Sequence, residues 1–146
     1  FAWTKKEYSN LARAHEVGIP VPEPLAFDRN ILLMEFLGRE EVPYPQLRNA
    51  EVADYGVTYG EILGYIERPY QEARLVHADP SEYNILYYEK PYVIDMGQAV
   101  TLDHPRASAF LIRDIRNINR YFSRYCDVQD EQEIIGAVTG SRGRER

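Results

Sequence analysis

Val76-His77-Ala78-Asp79-Pro80-Ser81-Glu82-Tyr83-Asn84, followed by Val93-Ile94-Asp95-Met96-Gly97, is the stretch on which the fold turns. Between these segments, Ile85 to Tyr88 and Tyr92 to Met96 are rich in β-formers and flank Glu89-Lys90-Pro91, which predicts a hairpin. Facing residues of an antiparallel pair have numbers that sum to a constant, and a turn centred on residues 89 and 90 makes that constant 179. Asn84 and Asp95 satisfy it. They are expected to face each other at the open end of the hairpin, with Cα atoms about 4.5–5.5 Å apart. A three-residue turn slips the register by one position without separating them. Asp79 sits on the loop leading in.

The surrounding chain has 146 residues, 45% of them apolar and 27% charged, and 17 Lys+Arg against 23 Asp+Glu give a net charge of −6. This is the composition of a globular domain, or of one lobe of a larger one, and excludes collagen-like, mucin-like and wholly disordered chains. Cys126 is alone, so no internal disulfide forms, and no run of about 18 apolar residues exists to span a bilayer. The chain opens Phe1-Ala2-Trp3 without a basic or apolar leader pattern, and a reducing, cytoplasmic compartment is the expectation.

Helical spacing of Tyr8, Leu11, Ala12 and Ala14 predicts a first helix from Thr4 to Val17, with Thr4 and Glu7 as a capping box and Gly18 as its stop. Pro20, Pro22 and Pro24 then force an extended path. Ile31 to Leu37 reads as a buried strand interrupted by Glu35. Arg39 to Gln46 suits a connector, and Ala50 to Glu72 a helix, in which Gly56, Gly60 and Gly64 could instead form a close-packing face. Asp103-His104-Pro105 starts a long helix to about Tyr125. No internal repeat is visible, and residues 137–146 are expected to be a flexible tail.

An Asn and an Asp oxygen together suit Mg²⁺, an ion that takes one or two protein ligands beside phosphates and waters. An Asp five residues before the Asn can then orient or accept the proton of an attacking hydroxyl. That is the base role of the kinase loop His-x-Asp-x-x-x-x-Asn, and Asp95-x-Gly97 stands where the magnesium-binding Asp-x-Gly would be. Each of these residues, taken singly, is more often a turn or strand-end cap. Taken jointly, in order and on a loop, a hairpin and a strand end, they favour a kinase-like site.

The run from Val76 to Pro105 resembles the catalytic and metal-binding segments of RIO-family atypical protein kinases, most closely the Rio-one branch. Trp3-Thr4-Lys5-Lys6-Glu7-Tyr8, Leu33-Met34-Glu35-Phe36 and Arg113-Asp114-Ile115-Arg116-Asn117 resemble the same branch, so the similarity extends from the first helix to about Tyr125. It implies an α+β, protein-kinase-like (RIO) fold, mostly the helical C-lobe with a short β-hairpin. Residues 1–38 would be a remnant of a largely absent N-lobe, residues 39–136 the C-lobe. It implies Asp79 as the catalytic Asp, Asn84 and Asp95 as Mg²⁺ ligands (Mn²⁺ as a substitute), and Asp95 also as a candidate acceptor of a transient phosphoryl group. ATP would lie against Met34, guarding the adenine pocket, against the backbone of Glu35 and Leu37, and on a floor of Leu86 and Ile94. The implied activity is that of a serine/threonine kinase or ATPase acting in small ribosomal subunit maturation.

Two departures accompany the resemblance. Pro80 stands where the family has Leu, and it removes a backbone donor beside the base. No Gly-rich loop and no strand lysine precede the first helix, so Glu7, which resembles the helix glutamate, lacks its usual partner, and poor ATP binding and little turnover are expected of the isolated chain. Two competing functions are a small-molecule kinase related to aminoglycoside phosphotransferases and a silent ribosome-biogenesis binding module. Ser81-Glu82-Tyr83-Asn84 and Asp95-Met96-Gly97-Gln98 favour the RIO resemblance over the first of these.

Other residues complete the expectations. Asp114 falls within the apolar beat of the long helix, where it either accepts from catalytic-loop amides or pairs with an arginine at the surface. His77 is expected to pack under the loop. Three scattered histidines and one cysteine do not suit zinc. Arg113, Arg116, Arg120 and Arg124 form a stripe that is either a solvated face or a contact for ribosomal RNA in a pre-ribosomal particle.

Overall fold

The computed structural model describes residues 2–140; the tail expected over 141–146 lies outside the described residues. Helix α1 spans Ala2–Glu16 and buries Thr4, Asn10, Leu11 and Ala14. It begins two residues before Thr4, which is therefore inside the first turn and buried instead of capping it. Gly18, at φ 81°, ends the helix, with its amide on His15 O at 3.0 Å, as glycine's access to the left-handed region allows.

The proline-rich segment then runs extended, with Ile19 and Val21 buried beside α1. Strand β1 (Pro24–Asp28) pairs with β2 (Ile31–Met34) across a bulge between Pro24 and Ala26. The apolar run from Ile31 is not a buried strand: Ile31 is 67% and Leu33 57% exposed. An apolar run is buried only where a second layer exists, and among the described residues the two-stranded ribbon packs against α1 with no comparable layer on its other side.

Strands β3 (Gly38–Arg39) and β4 (Val42–Pro43) turn within the connector, and a short 3₁₀ turn follows at Leu47–Asn49. Helix α2 covers Tyr55–Arg68, later than Ala50 because the Asp54 side chain accepts the Val57 amide at 3.1 Å as N-cap. The glycines of α2 are no packing face, since a Cβ at Gly60 or Gly64 would meet nothing within 4 Å. A π-turn at Pro69–Ala73 leads to β5 (Leu75–Val76), which pairs with β8 (Val100–Thr101).

The expected hairpin forms from β6 (Ile85–Tyr88) and β7 (Lys90–Val93), but its pairs, such as Ile85 with Val93, sum to 178. Glu89 alone occupies the tip at φ 64°. One residue fewer in the turn slips the register by one. Asn84 therefore faces Ile94, whose amide reaches Asn84 O at 3.1 Å, and Asp95 lies one step further along. Helices α3 (Ala107–Phe122) and α4 (Glu131–Thr139) are the last elements among the described residues. Residues 137–139 thus belong to α4, which ends at Gly140 with φ 74°.

Two apolar clusters hold these elements. One joins α2, α3 and α4 through Ile62, Ile115, Ile118, Phe122 and Val138; the other joins α1 to Ile19, Val21, Met96 and Ala99. Neighbouring strand residues are divided between them: Val76 and Ile85 point into the first, Leu75 and Val93 into the second. On β5 the alternation of successive side chains ties the clusters together, while the facing pair Ile85 and Val93 lies on the border between them. The loop after β5 and the open end of the hairpin therefore emerge at the seam.

Candidate active site

The loop after β5 is held from both sides. His77 Nδ1 accepts the Asp79 amide at 3.0 Å, and Nε2 meets Ile94 O at 3.1 Å. A ring with one accepting and one donating nitrogen is neutral, with its proton on Nε2. Burial pushes its pKa down, against the opposing pull of Ile94 O, Asp79 and Asp95. His77 thus packs beneath the loop and links it to the strand end carrying Asp95.

Ala78 adopts φ 76°, a conformation unusual for a residue with a Cβ. Both of its main-chain groups are gripped by α3. Its amide donates to Asp114 Oδ2 at 2.9 Å, and its carbonyl accepts from Arg113 Nη2. Asp114 is 1% exposed, and burial raises its pKa to about 7 despite the Ala78 amide and Arg113. Of the two placements open for Asp114, the loop amide is the one found.

Ser81 Oγ accepts from the Tyr83 and Asn84 amides at 3.2 and 3.3 Å, bending the chain back. Asn84 Nδ2 then donates to Asp79 O at 3.0 Å and to Asp79 Oδ2 at 3.2 Å. With both donor contacts turned toward Asp79, Oδ1 is the end left to accept from or ligate something else. Asp95 is also left-handed, at φ 62°, and two such residues beside one loop mark a site where backbone strain is held by its surroundings.

Met34, Glu35, Leu37, Leu86 and Ile94 all line one open groove of about 470 Å³, and Asp95 and Glu7 share its wall. The Glu35 amide is taken by Glu23 O at 2.9 Å and the Leu37 carbonyl by the Tyr44 amide at 3.0 Å. That leaves the Glu35 carbonyl and Leu37 amide as the pair presented to a ligand edge. Glu7 has its pKa raised by burial and then by the like charge of Asp95, so this wall favours a cation. Asp79 and Asn84 are not on the groove wall. They reach it through the hairpin, where Asn84 pairs with Ile94.

Sequence reasoning missed Asn10. Its Nδ2 donates to Met96 O at 2.8 Å and Ala99 O at 3.3 Å, tying the segment after Asp95 to α1. A buried amide inside an apolar helix face was the available signal. The arginine stripe is exposed throughout but not uniform in its contacts: Arg113 donates to the Ala78 carbonyl, Arg116 pairs with Glu131 at 2.8 Å, and Arg120 and Arg124 form no ion pair among the described residues.

Comparisons with known proteins give the family and the fold. The model of the RIO domain family matches residues 1–134. A RIO-type serine/threonine-protein kinase Rio1 from Thermoplasma acidophilum is 42% identical over 132 residues, which cover 90% of this chain and 69% of that protein. The human serine/threonine-protein kinase RIO1 is 41% identical over 141 residues, covering 94% of this chain and 25% of the relative. The crystal structure of a Rio2 kinase–ADP/Mg²⁺–phosphoaspartate complex from Chaetomium thermophilum superimposes with a TM-score of 0.75 at 27% identity, over 92% of this chain and 44% of that one. The chain therefore spans from a quarter to about two thirds of the length of these relatives.

Proposed function

The chain belongs to the RIO domain family, and on that premise we propose that it carries the catalytic and metal-binding part of a Mg·ATP-dependent serine/threonine kinase or ATPase. The observation that carries this is the bridge from Asn84 Nδ2 to Asp79, which leaves Asn84 Oδ1 as the ligating end while Asp95 stands on the wall of the groove. ATP would occupy the groove, with its adenine edge on the Glu35 carbonyl and Leu37 amide between Met34 and the Leu86–Ile94 floor.

The donor set fits Mg²⁺. Asn84 Oδ1 and the Asp95 carboxylate are hard oxygen ligands, and among the described residues no group of three or more His, Cys, Asp or Glu gathers to bind a metal alone. Phosphates and water would complete the shell. When bound, the ion supplies charge neutralisation across the phosphates. Asp79 orients the acceptor hydroxyl and takes its proton as the new P–O bond forms and ADP leaves. The Asn84 amide restrains the Asp79 carboxylate meanwhile, and His77 keeps the Asp79 backbone in register with Asp95. Asp95 is also a candidate nucleophile, since the Rio2 neighbour holds a phosphoaspartate.

The exposed Arg120 and Arg124 support a finer reading, in which the whole protein works in the cytoplasm on a pre-ribosomal small-subunit particle through ribosomal RNA. Changing Arg120 and Arg124 to Glu should weaken RNA binding and flatten its salt dependence; unchanged binding removes this contact. Radiolabelled phosphoryl transfer by the whole protein, wild type beside Asp79→Ala, tests the main function. A loss of at least about a hundredfold is expected for a catalytic base, and undiminished labelling would refute the role of Asp79.

A further inference from the structure

The start of α3 carries a cationic cluster that the steps above leave unused. Arg106 and Arg113 lie four residues before and three after Phe110, on one helical stripe. Both guanidinium carbons stand over the Phe110 ring, 5.4 and 4.8 Å from its centroid. His104 joins them, its ring 5.7 Å from Phe110 and its Nδ1 accepting the Arg106 amide at 3.0 Å. No carboxylate among the described residues forms an ion pair with Arg106 or Arg113. Asp114, whose carboxyl feels the charge of Arg113, is directed at the Ala78 amide.

The cluster is also coupled to the catalytic loop. The kinase loop His-Arg-Asp has a cation between its His and Asp; here that position is Ala78. Arg113 brings a guanidinium to the backbone of the same residue from α3. A guanidinium thus reaches the residue before Asp79 although the loop itself encodes none.

We propose that Arg106 and Arg113 form a receptor for one phosphate group, that of a phosphoserine or phosphothreonine in the protein substrate, close to the acceptor hydroxyl at Asp79. This rests on Asp79 being the acceptor site. Planar guanidinium forks match phosphate oxygens in pairs, and stacking on Phe110 restricts their rotamers in advance. A single phosphate fits better than a polyanion. Asp103, within electrostatic reach of His104, and Asp79 on the loop side border the cluster with negative charge, and the chain carries −6 overall. Phe110 is already covered by guanidinium groups and offers no platform for a base. The site would favour substrates that already carry one phosphate.

Fluorescence anisotropy on the nucleotide-free chain tests this, using a labelled phosphoserine peptide, its unphosphorylated counterpart and a short single-stranded RNA at one ionic strength. The phosphopeptide should bind tightest, and Arg106→Gln should weaken it about tenfold, as for a lost charged hydrogen bond. Among the described residues the Arg106 side chain makes only the ring contact, and its two other bonds are through its backbone amide and carbonyl, so this variant keeps the fold; Arg113→Gln, which also frees Ala78, is the secondary variant. Asp79→Asn, which removes a bordering negative charge, should bind the phosphopeptide at least as tightly as wild type, which separates this site from the phosphoryl-transfer reaction. Equal binding of both peptides, wild-type affinity in Arg106→Gln, or tighter RNA binding with the same dependence on Arg106 would each overturn the proposal.

Discussion

Asn84 and Asp79 are locked together through a single amide group, with Nδ2 donating to both the carbonyl and the carboxylate of Asp79 at 3.0 and 3.2 Å. Replacing this donor by an acceptor sets oxygen against oxygen twice. Asn84→Asp should therefore lower stability by about 1 kcal/mol near neutral pH, with partial recovery once the new carboxylate is protonated. Urea unfolding at pH 7 and pH 4, each against wild type, measures this.

Asp114 is the buried anchor of the left-handed Ala78 amide. Asp114→Ala leaves that N–H without a partner and should cost about 1–3 kcal/mol, whereas Asp114→Asn keeps an accepting oxygen and should cost less. Equal losses in the two variants, read from urea midpoints, would mean that the amide contact is not what stabilises the loop.

The same residue sets a pH dependence. Because burial raises the Asp114 pKa to about 7 from 3.8, the folded state holds a proton that the unfolded chain has released. Its contribution is complete below about pH 3.8 and is lost as pH rises through about 7. His77 acts in the opposite sense: its pKa is lowered from 6.5, so its contribution is present above 6.5 and is lost on acidification. The stability difference between wild type and Asp114→Asn should shrink from pH 5 to pH 8. A pH-independent difference would contradict a buried, protonated Asp114.

Gly60 lies exposed in mid-helix with open space where a Cβ would go. Gly60→Ala should raise stability by about 0.5–1 kcal/mol through helix propensity and a less flexible unfolded chain. Thermal unfolding checks it, and a lowered midpoint would show that the α2 surface is packed against something.

Much of this arrangement was legible in the residues. The loop, the hairpin and the apolar beats of α2 and α3 were readable because turn chemistry and helical spacing are local properties. The register was not, because it depended on Glu89 taking a left-handed turn alone, a choice that the Glu-Lys-Pro string does not dictate. The exposure of Ile31 and Leu33 was equally illegible, since their apolar character says nothing of how many layers cover the ribbon. Asn10 and Asp114 illustrate a third limit. A polar residue on an apolar helix face signals a buried partner, but the partners, Met96 O and the Ala78 amide, lie 86 and 36 residues away.

The central claim is a nucleotide groove whose metal side is set by Asn84 and Asp95. Titrating ATP into methyl-labelled protein with and without Mg²⁺, and following Ile94, Leu86 and Met34 by NMR, measures it at millimolar as well as micromolar affinity. These methyls are predicted to shift with ATP and more strongly with Mg·ATP, and the Mg²⁺ enhancement should vanish in Asp95→Asn and Asn84→Ala. Shifts confined to other parts of the molecule, or an enhancement that survives both substitutions, would contradict it.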